Sequence, residues 1–316
     1  MKEIGGYIEF EHYHGPMLHE DGIKLDSGRS CLAYLIKAKR IRKIAIPSFM
    51  CNSVFNMCLN YDVKLKFYQV GLDFLPEDLS LADDEYLYLV NYYGQLSGKS
   101  IKTYREKYHR VIIDNTQAYF DDPIPGVDTF YSCRKFFGVP DGGILYTDAK
   151  LELEPEYSES WQNMEHLLGR FERNASEFYT QSTANNKRFA NQPVRKMSKL
   201  TENLLHGIDY QFVKKVRTDN YRCLMNRLSS LNLLNLNPVT GAFSYPLMLS
   251  EAKNLRKKLI DNKVFVPKLW PDVINSENNS VMDKNLAENI LPLPCDQRYS
   301  EYEMEFICDV ILKADS

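Results

Sequence analysis

Between residues 43 and 147 the chain alternates short apolar runs with longer, mixed stretches. The runs KIAIP (43–47), VKLKFYQV (63–70), EYLYLVNYY (85–93), RVIIDN (110–115), TFYSC (129–133) and GGILYT (142–147) are rich in Val, Ile, Tyr and Phe. Runs of this length and composition predict strands. The intervening segments 48–60 and 100–108 predict helices, and SCLAYLIKAKRIRK (30–43) predicts a helix leading into the first strand. Several strands are apolar at consecutive positions, the pattern of a mainly parallel sheet covered by helices on both faces. The expected fold class is α/β, with a three-layer α/β/α large domain.

From 151 to about 227 the pattern turns to polar helices with Asn- and Ser-rich connections, expected to wrap the sheet or line a partner subunit. After Leu228 the stretches FSYPLML (243–249) and NKVFVPKLW (262–270) precede a closing helix in SEYEMEFICDVILK (300–313). The expectation is a large domain over 1–227, with 1–20 as an N-terminal arm, and a small α+β domain over 228–316. A length of 316 residues accommodates both.

Composition then excludes several classes. Hydrophobic residues at 44% and charged residues at 26% are ordinary for a folded globular chain. Thirty-nine Lys+Arg against 42 Asp+Glu leave a net charge of -3, so no global attraction to nucleic acid or anionic lipid is expected. The basic run KAKRIRK (37–43) reads as a solvated helix end with charge favourable to the dipole. Seven scattered cysteines without a CxxC pair argue against a disulfide framework or a structural zinc site, and for a reducing compartment. No apolar leader and no run approaching ~18 apolar residues is present, so a cytoplasmic location without a membrane partner is expected. The glycosylation patterns at Asn174 and Asn278 are idle in that setting. His12, His14 and His19, with Glu9 and Glu11, lack a second ligand cluster and read as a polar strand or loop, so no metal is expected.

The stretch DNTQAYFDDPIPGVDTFYSCRKFFGVPDGGILYT (114–147) carries the candidate chemistry. Asp114 closes one apolar run, Ser132 and Lys135 close another, and Gly138, Asp141, Gly142 and Gly143 lead into a third. Ligands of open α/β sheets gather at the carboxyl ends of strands, so an Asp and a Lys at two such ends can face one cavity. A carboxylate and an amine at one ligand point to pyridoxal 5'-phosphate, which needs a lysine to join its aldehyde and an acid to keep its ring nitrogen protonated. LDSGRSCLAYLI offers the phosphate site: Gly28 for close approach, Ser27 and Ser30 as hydroxyl donors, and a helix N-terminus near Ser30. Taken singly, these residues favour the plainer readings of an N-cap, a turn cap and a solvated strand end. Their order, phosphate loop then Asp then Lys, favours the cofactor. GQLSGKS (94–100) resembles a phosphate-binding P-loop but is one residue short, and no GxGxxG follows a strand, so the NTPase and nicotinamide readings are weaker.

With these residues in view, the sequence resembles the DegT/DnrJ/EryC1/StrS group of pyridoxal-phosphate aminotransferases of fold type I, which act on nucleotide-linked keto sugars. The resemblance covers most of the chain and rests on LDSGRSCLAYL, IPSFMCNSVF, VNYYGQL, IIDNTQA, YSCRKFFGVPDGGILYT and ILPLPCDQRYSEYEMEFI. It implies that Lys135 joins the cofactor, that Asp114 pairs with the ring nitrogen, and that Gln117 neighbours the ring and its phenolic oxygen. It also implies that Gly28, Arg29 and Ser30 surround the phosphate, with Ser132 assisting. Arg29 replaces a small residue of the family's loop, and Cys51 stands where the family commonly places a stacking aromatic, so Phe49 or Tyr93 is expected to supply the ring. The implied activity is amino transfer from an amino acid, with glutamate the expected donor, to a keto-sugar nucleotide in surface-polysaccharide synthesis. The implied assembly is a homodimer with active sites at the interface, to which segments around 174–196 contribute. The alternative is a member that keeps the fold but serves as a binding or structural protein.

Overall fold

The computed structural model describes residues 4–276 and 279–315, so the Asn278 pattern lies outside the described residues. The strands and helices in chain order are β1 (Ile23–Leu25), α1 (Gly28–Ala38), β2 (Lys43–Pro47), α2 (Asn52–Asn60), β3 (Lys64–Tyr68), β4 (Tyr86–Val90), α3 (Gly98–Tyr108), β5 (Val111–Asp114), β6 (Asp128–Ser132) and β7 (Gly143–Tyr146). They continue with α4 (Glu165–Glu172), α5 (Tyr179–Lys187), α6 (Lys199–Leu205), α7 (Tyr210–Leu228), β8 (Tyr245–Met248), α8 (Lys253–Asp261), α9 (Pro271–Asn275), α10 (Val281–Asn289), β9 (Ile290–Leu293) and α11 (Glu301–Asp315).

The first seven strands form one sheet in the order β1-β7-β6-β5-β4-β2-β3. Every pairing from β3 through β6 is parallel, and β7 runs antiparallel to both β6 and β1. The inner strands are buried almost throughout, as their consecutive apolar residues require. Helix α1 lies against this sheet with Cys31 to Ile36 buried. β8 and β9 form a separate antiparallel pair, with Tyr245 opposite Leu293, in a second apolar cluster with α8, the C-terminal half of α7 and α11.

Two helix boundaries differ from the sequence expectation. Helix α1 ends at Ala38, and Arg40 turns the chain at φ 51° before β2, so the basic run is mostly linker. Its charges are anchored: Lys39 Nζ lies 2.7 Å from Asp128 and 2.8 Å from Asp148, and Lys43 Nζ lies 2.7 Å from Asp84. Helix α2 starts only at Asn52, because Ser48 N–H still donates to Tyr68 O (2.9 Å) as an extension of the β2–β3 ladder. In GQLSGKS, Ser97 N-caps α3, its side chain accepting from Ser100 N–H. His19 is buried, within 2.8 Å of Tyr119 O and stacked on Tyr131, and takes no part in a ligand cluster with His12 or His14 among the described residues.

Candidate cofactor site

The carboxyl ends of β5 and β6 meet the N-terminus of α1. Asp114 ends β5 and is buried. Its Oδ2 accepts from the Tyr88 hydroxyl of β4 at 2.6 Å, and its Oδ1 accepts from Thr116 N–H at 2.8 Å. These bonds orient the carboxylate from two sides. Lys135 Nζ, just beyond β6, donates to Thr116 Oγ1 at 2.9 Å. A Cβ on Gly28 would meet Thr116 Cγ2 at 3.3 Å, so the start of α1 rests on the same threonine. Thr116 therefore joins the acid, the amine and the start of α1. Sequence reasoning passed over it, although its place two residues after Asp114 was the available signal.

Solvent reaches Lys135, yet protein atoms crowd its Nζ. This desolvation lowers the ammonium pKa below its ordinary value; the Asp114 carboxylate opposes the shift, and the Arg134 and Arg29 guanidiniums add to it. The ring of Phe243 lies 5.6 Å from Nζ. Cys51, half-buried at the start of α2, lies within Coulombic reach of both Lys135 and Arg29.

Phe49 and Tyr93, the rings expected to stack on the cofactor, are buried against other aromatic side chains. Phe49 is 1% exposed, stacked on Tyr92 at 5.4 Å and met edge-on by Trp270 at 4.7 Å. Tyr93 is equally buried beside Phe74, and its backbone N–H donates to Gln117 Oε1 at 2.9 Å. That bond holds Tyr93 at φ 54° and turns Gln117 toward the loop after β4. The structure thus leaves Cys51 half-buried near Lys135 and packs Phe49 and Tyr93 in the core.

At the start of α1, Ser27 caps the helix by accepting from Ser30 N–H. The Ser27 and Ser30 hydroxyls both donate to Asp26 Oδ1, at 3.0 and 2.6 Å, and the Gln192 amide donates to Oδ2. Asp26 is fully buried, which raises its carboxyl to about 6 against the pull of the two hydroxyls. Ser132 ends β6 opposite Gly143. A Cβ on Gly143 would lie 2.6 Å from the Ser27 carbonyl, so β7 presses directly on the loop. The segment expected to reach a partner bonds within its own chain: Asn186 Oδ1 accepts from Arg29 (2.8 Å) and Arg134 (3.3 Å), and Asn185 donates to Pro140 O (2.9 Å).

No protein-family model matches the sequence, and no curated protein sequence matches it. Solved structures do. S. venezuelae DesV in complex with a ketimine intermediate superposes with a TM-score of 0.68 at 13% identity, over 96% of this chain and 90% of that one. A DegT DnrJ EryC1 StrS aminotransferase from Brucella abortus gives 0.61 at 14%, over 92% and 85%. E. coli GDP-4-keto-6-deoxy-D-mannose-3-dehydratase with bound hydrated PLP gives 0.62 at 14%, over 92% and 87%. The chain has the pyridoxal-phosphate fold type I. At such identities the shared property is architecture, and each residue stands on its own geometry. On that test the residues fit a fold type I cofactor: an acid ends β5, an amine follows the end of the adjacent β6, and an α-helix N-terminus lies against the residue that links them.

Proposed function

We propose that this chain is a pyridoxal-5'-phosphate-dependent aminotransferase that moves an amino group from an amino acid, glutamate, to a nucleotide-linked keto sugar. The placement in surface-polysaccharide synthesis follows the same reading. The observation that carries it is the convergence of Lys135 and Asp114 on Thr116 at the start of α1. Sugar aminotransferases and a keto-sugar dehydratase among the structural neighbours support the substrate class.

When bound, the cofactor supplies an electron sink for charge developing at the donor's α-carbon. Lys135 and Asp114 would hold it, with Asp114 facing the ring nitrogen in the orientation set by Tyr88 and Thr116. The lowered pKa of Lys135 increases the share of neutral amine at neutral pH. Neutral Nζ is both the nucleophile and the base that takes up and returns the donor's α-proton. Thr116 Oγ1 fixes the direction of that amine.

The test is reconstitution with the cofactor. The wild type is expected to develop a visible absorbance band that Lys135→Ala lacks, and glutamate is expected to discharge it with one equivalent of 2-oxoglutarate per site. A screen of keto-sugar nucleotides with ¹⁵N-glutamate then identifies the acceptor. Absence of a Lys135-dependent band overturns the cofactor assignment. A band that glutamate leaves untouched overturns amino transfer and favours a dehydratase or a binding protein on the same fold.

A further inference from the structure

Three guanidiniums gather on one ring near Lys135 without an ion-paired carboxylate. Arg29 is the second residue of α1, Arg134 precedes Lys135, and Arg188 follows α5. All three lie against one ring, that of Phe189, with their central carbons 5.6, 4.4 and 4.2 Å from its centroid. Phe189 is 1% exposed, so it is a fixed platform. Among the described residues none of the three forms an ion pair. Their acceptors are neutral: Asn186 Oδ1 for Arg29 and Arg134, and Asn185 Oδ1, Ser160 Oγ and Pro140 O for Arg188.

Arg134 Nε is buried with no hydrogen-bond partner. Burial, together with the charges of Arg29 and Arg188, lowers the pKa of Arg134 to about 10. Clustered like charges cost stability unless a counter-charge joins them. Two carboxylates, Asp26 and Asp141, act on the arginines through space, but none is within ion-pair distance and their oxygens are hydrogen-bonded to other groups: Asp26 with Ser27, Ser30 and Gln192, and Asp141 with Ser198 and Thr201 at the start of α6. Planar guanidiniums match phosphate oxygens in pairs, and the α1 N-terminus adds backbone N–H groups beside them.

We propose that Arg29, Arg134 and Arg188, carried on the Phe189 ring, form with the first turn of α1 a receptor for a phosphate monoester dianion. It takes over the role that the hydroxyls of Ser27 and Ser30, committed to Asp26, do not fill. Naming that ester as the phosphate of pyridoxal 5'-phosphate rests on the function proposed above. The arginines come from three separated stretches of chain, so the receptor exists only in the folded molecule.

The experiment compares full-length wild type with Arg134→Gln and Arg188→Gln, and with Arg188→Lys as a charge-retaining control. Four probes are titrated: pyridoxal 5'-phosphate, pyridoxal, inorganic phosphate and a nucleoside diphosphate. Circular dichroism confirms that each variant is folded. The Gln variants are expected to raise the dissociation constant for pyridoxal 5'-phosphate about tenfold or more, since each loses charged hydrogen bonds. Pyridoxal, which lacks the phosphate, is expected to bind wild type and variants alike. Inorganic phosphate is expected to compete with pyridoxal 5'-phosphate in the wild type, and Arg188→Lys to recover part of the loss. Unchanged affinity for pyridoxal 5'-phosphate and phosphate in both Gln variants overturns the receptor while leaving the cofactor reading intact. Arginine-dependent phosphate binding without any Lys135-dependent band sustains the receptor and removes the cofactor reading. Loss confined to the nucleoside diphosphate overturns the assignment to the cofactor's ester.

Discussion

Asp26 shows how one side chain changes what a loop can do. Its folded-state carboxyl sits at about 6, above the ordinary 3.8, so the folded chain holds this proton more tightly than the unfolded chain. The stability tied to that proton is fully present below the unfolded value and is lost as pH rises through about 6. A shift of ~2 units corresponds to about 3 kcal/mol. Asp26→Asn, which cannot ionise, is therefore expected to gain roughly 2–3 kcal/mol on the wild type between about pH 4 and pH 7.5 in urea denaturation. A pH-independent difference contradicts the assignment. Tyr88→Phe removes the donor to Asp114 Oδ2 and is expected to weaken cofactor binding about tenfold with little loss of fold. Equal affinity by titration would show that Thr116 N–H alone orients the acid. Gly143→Ala forces a methyl against the Ser27 carbonyl, and a loss of about 1–3 kcal/mol is expected in the same denaturation assay.

Among the elements, α7 shows why part of the chain resisted reading. Its sequence is polar, yet Arg217, Thr218 and Asn220 are buried. Asn220 donates to the carbonyls of Cys295, Asp296 and Tyr299, and Arg217 to those of Phe136 (3.1 Å) and Ala242 (2.8 Å) and to Gln297 Oε1 (2.7 Å). Polar side chains at buried positions erase the apolar stripe by which an amphipathic helix is recognised. Because the Arg217 guanidinium holds the residue after Lys135 and lies 4.6 Å from its ring, Arg217→Met is expected to cost about 2–4 kcal/mol and to loosen cofactor retention. An unchanged denaturation midpoint and cofactor affinity would show that Gln297, which also donates to Phe136 O, suffices. By contrast, β2, β4, β5, β6 and β7 were legible, since each is a short apolar run bounded by polar or glycine residues. The C-terminal end of α1 and the start of α2 were not, because Lys39 is anchored to Asp128 just past the last turn of α1 and a strand bond from Ser48 delays the start of α2.

At the scale of the whole molecule, several large apolar side chains stand exposed to solvent. Phe171 is 93% exposed, with Trp161, Leu168 and Tyr179 also exposed near it in sequence, and the arm presents Tyr7 and Ile8. The homodimer implied by the sequence resemblance, if built on this apolar surface, predicts twice the chain mass in sedimentation at micromolar concentration and a shift toward monomer in Phe171→Asp; a wild-type monomer throughout that range contradicts it. No described helix is long and apolar enough to cross a membrane. Sequence alone determined the alternation of strand and helix, the burial of the inner strands, and the order of anion loop, acid and amine along the chain. These follow from local periodicity and from residue types at strand ends, which neighbours in sequence express without help. Tertiary structure alone decided that Thr116 joins acid to amine, that Phe49 and Tyr93 enter the core while Cys51 stays half-buried near Lys135, and that Asp26 takes the serine hydroxyls. It also gathered arginines 29, 134 and 188 on one ring. Each of these is a contact between residues far apart along the chain, set by how elements pack and which polar group satisfies which, and no short stretch of sequence encodes it.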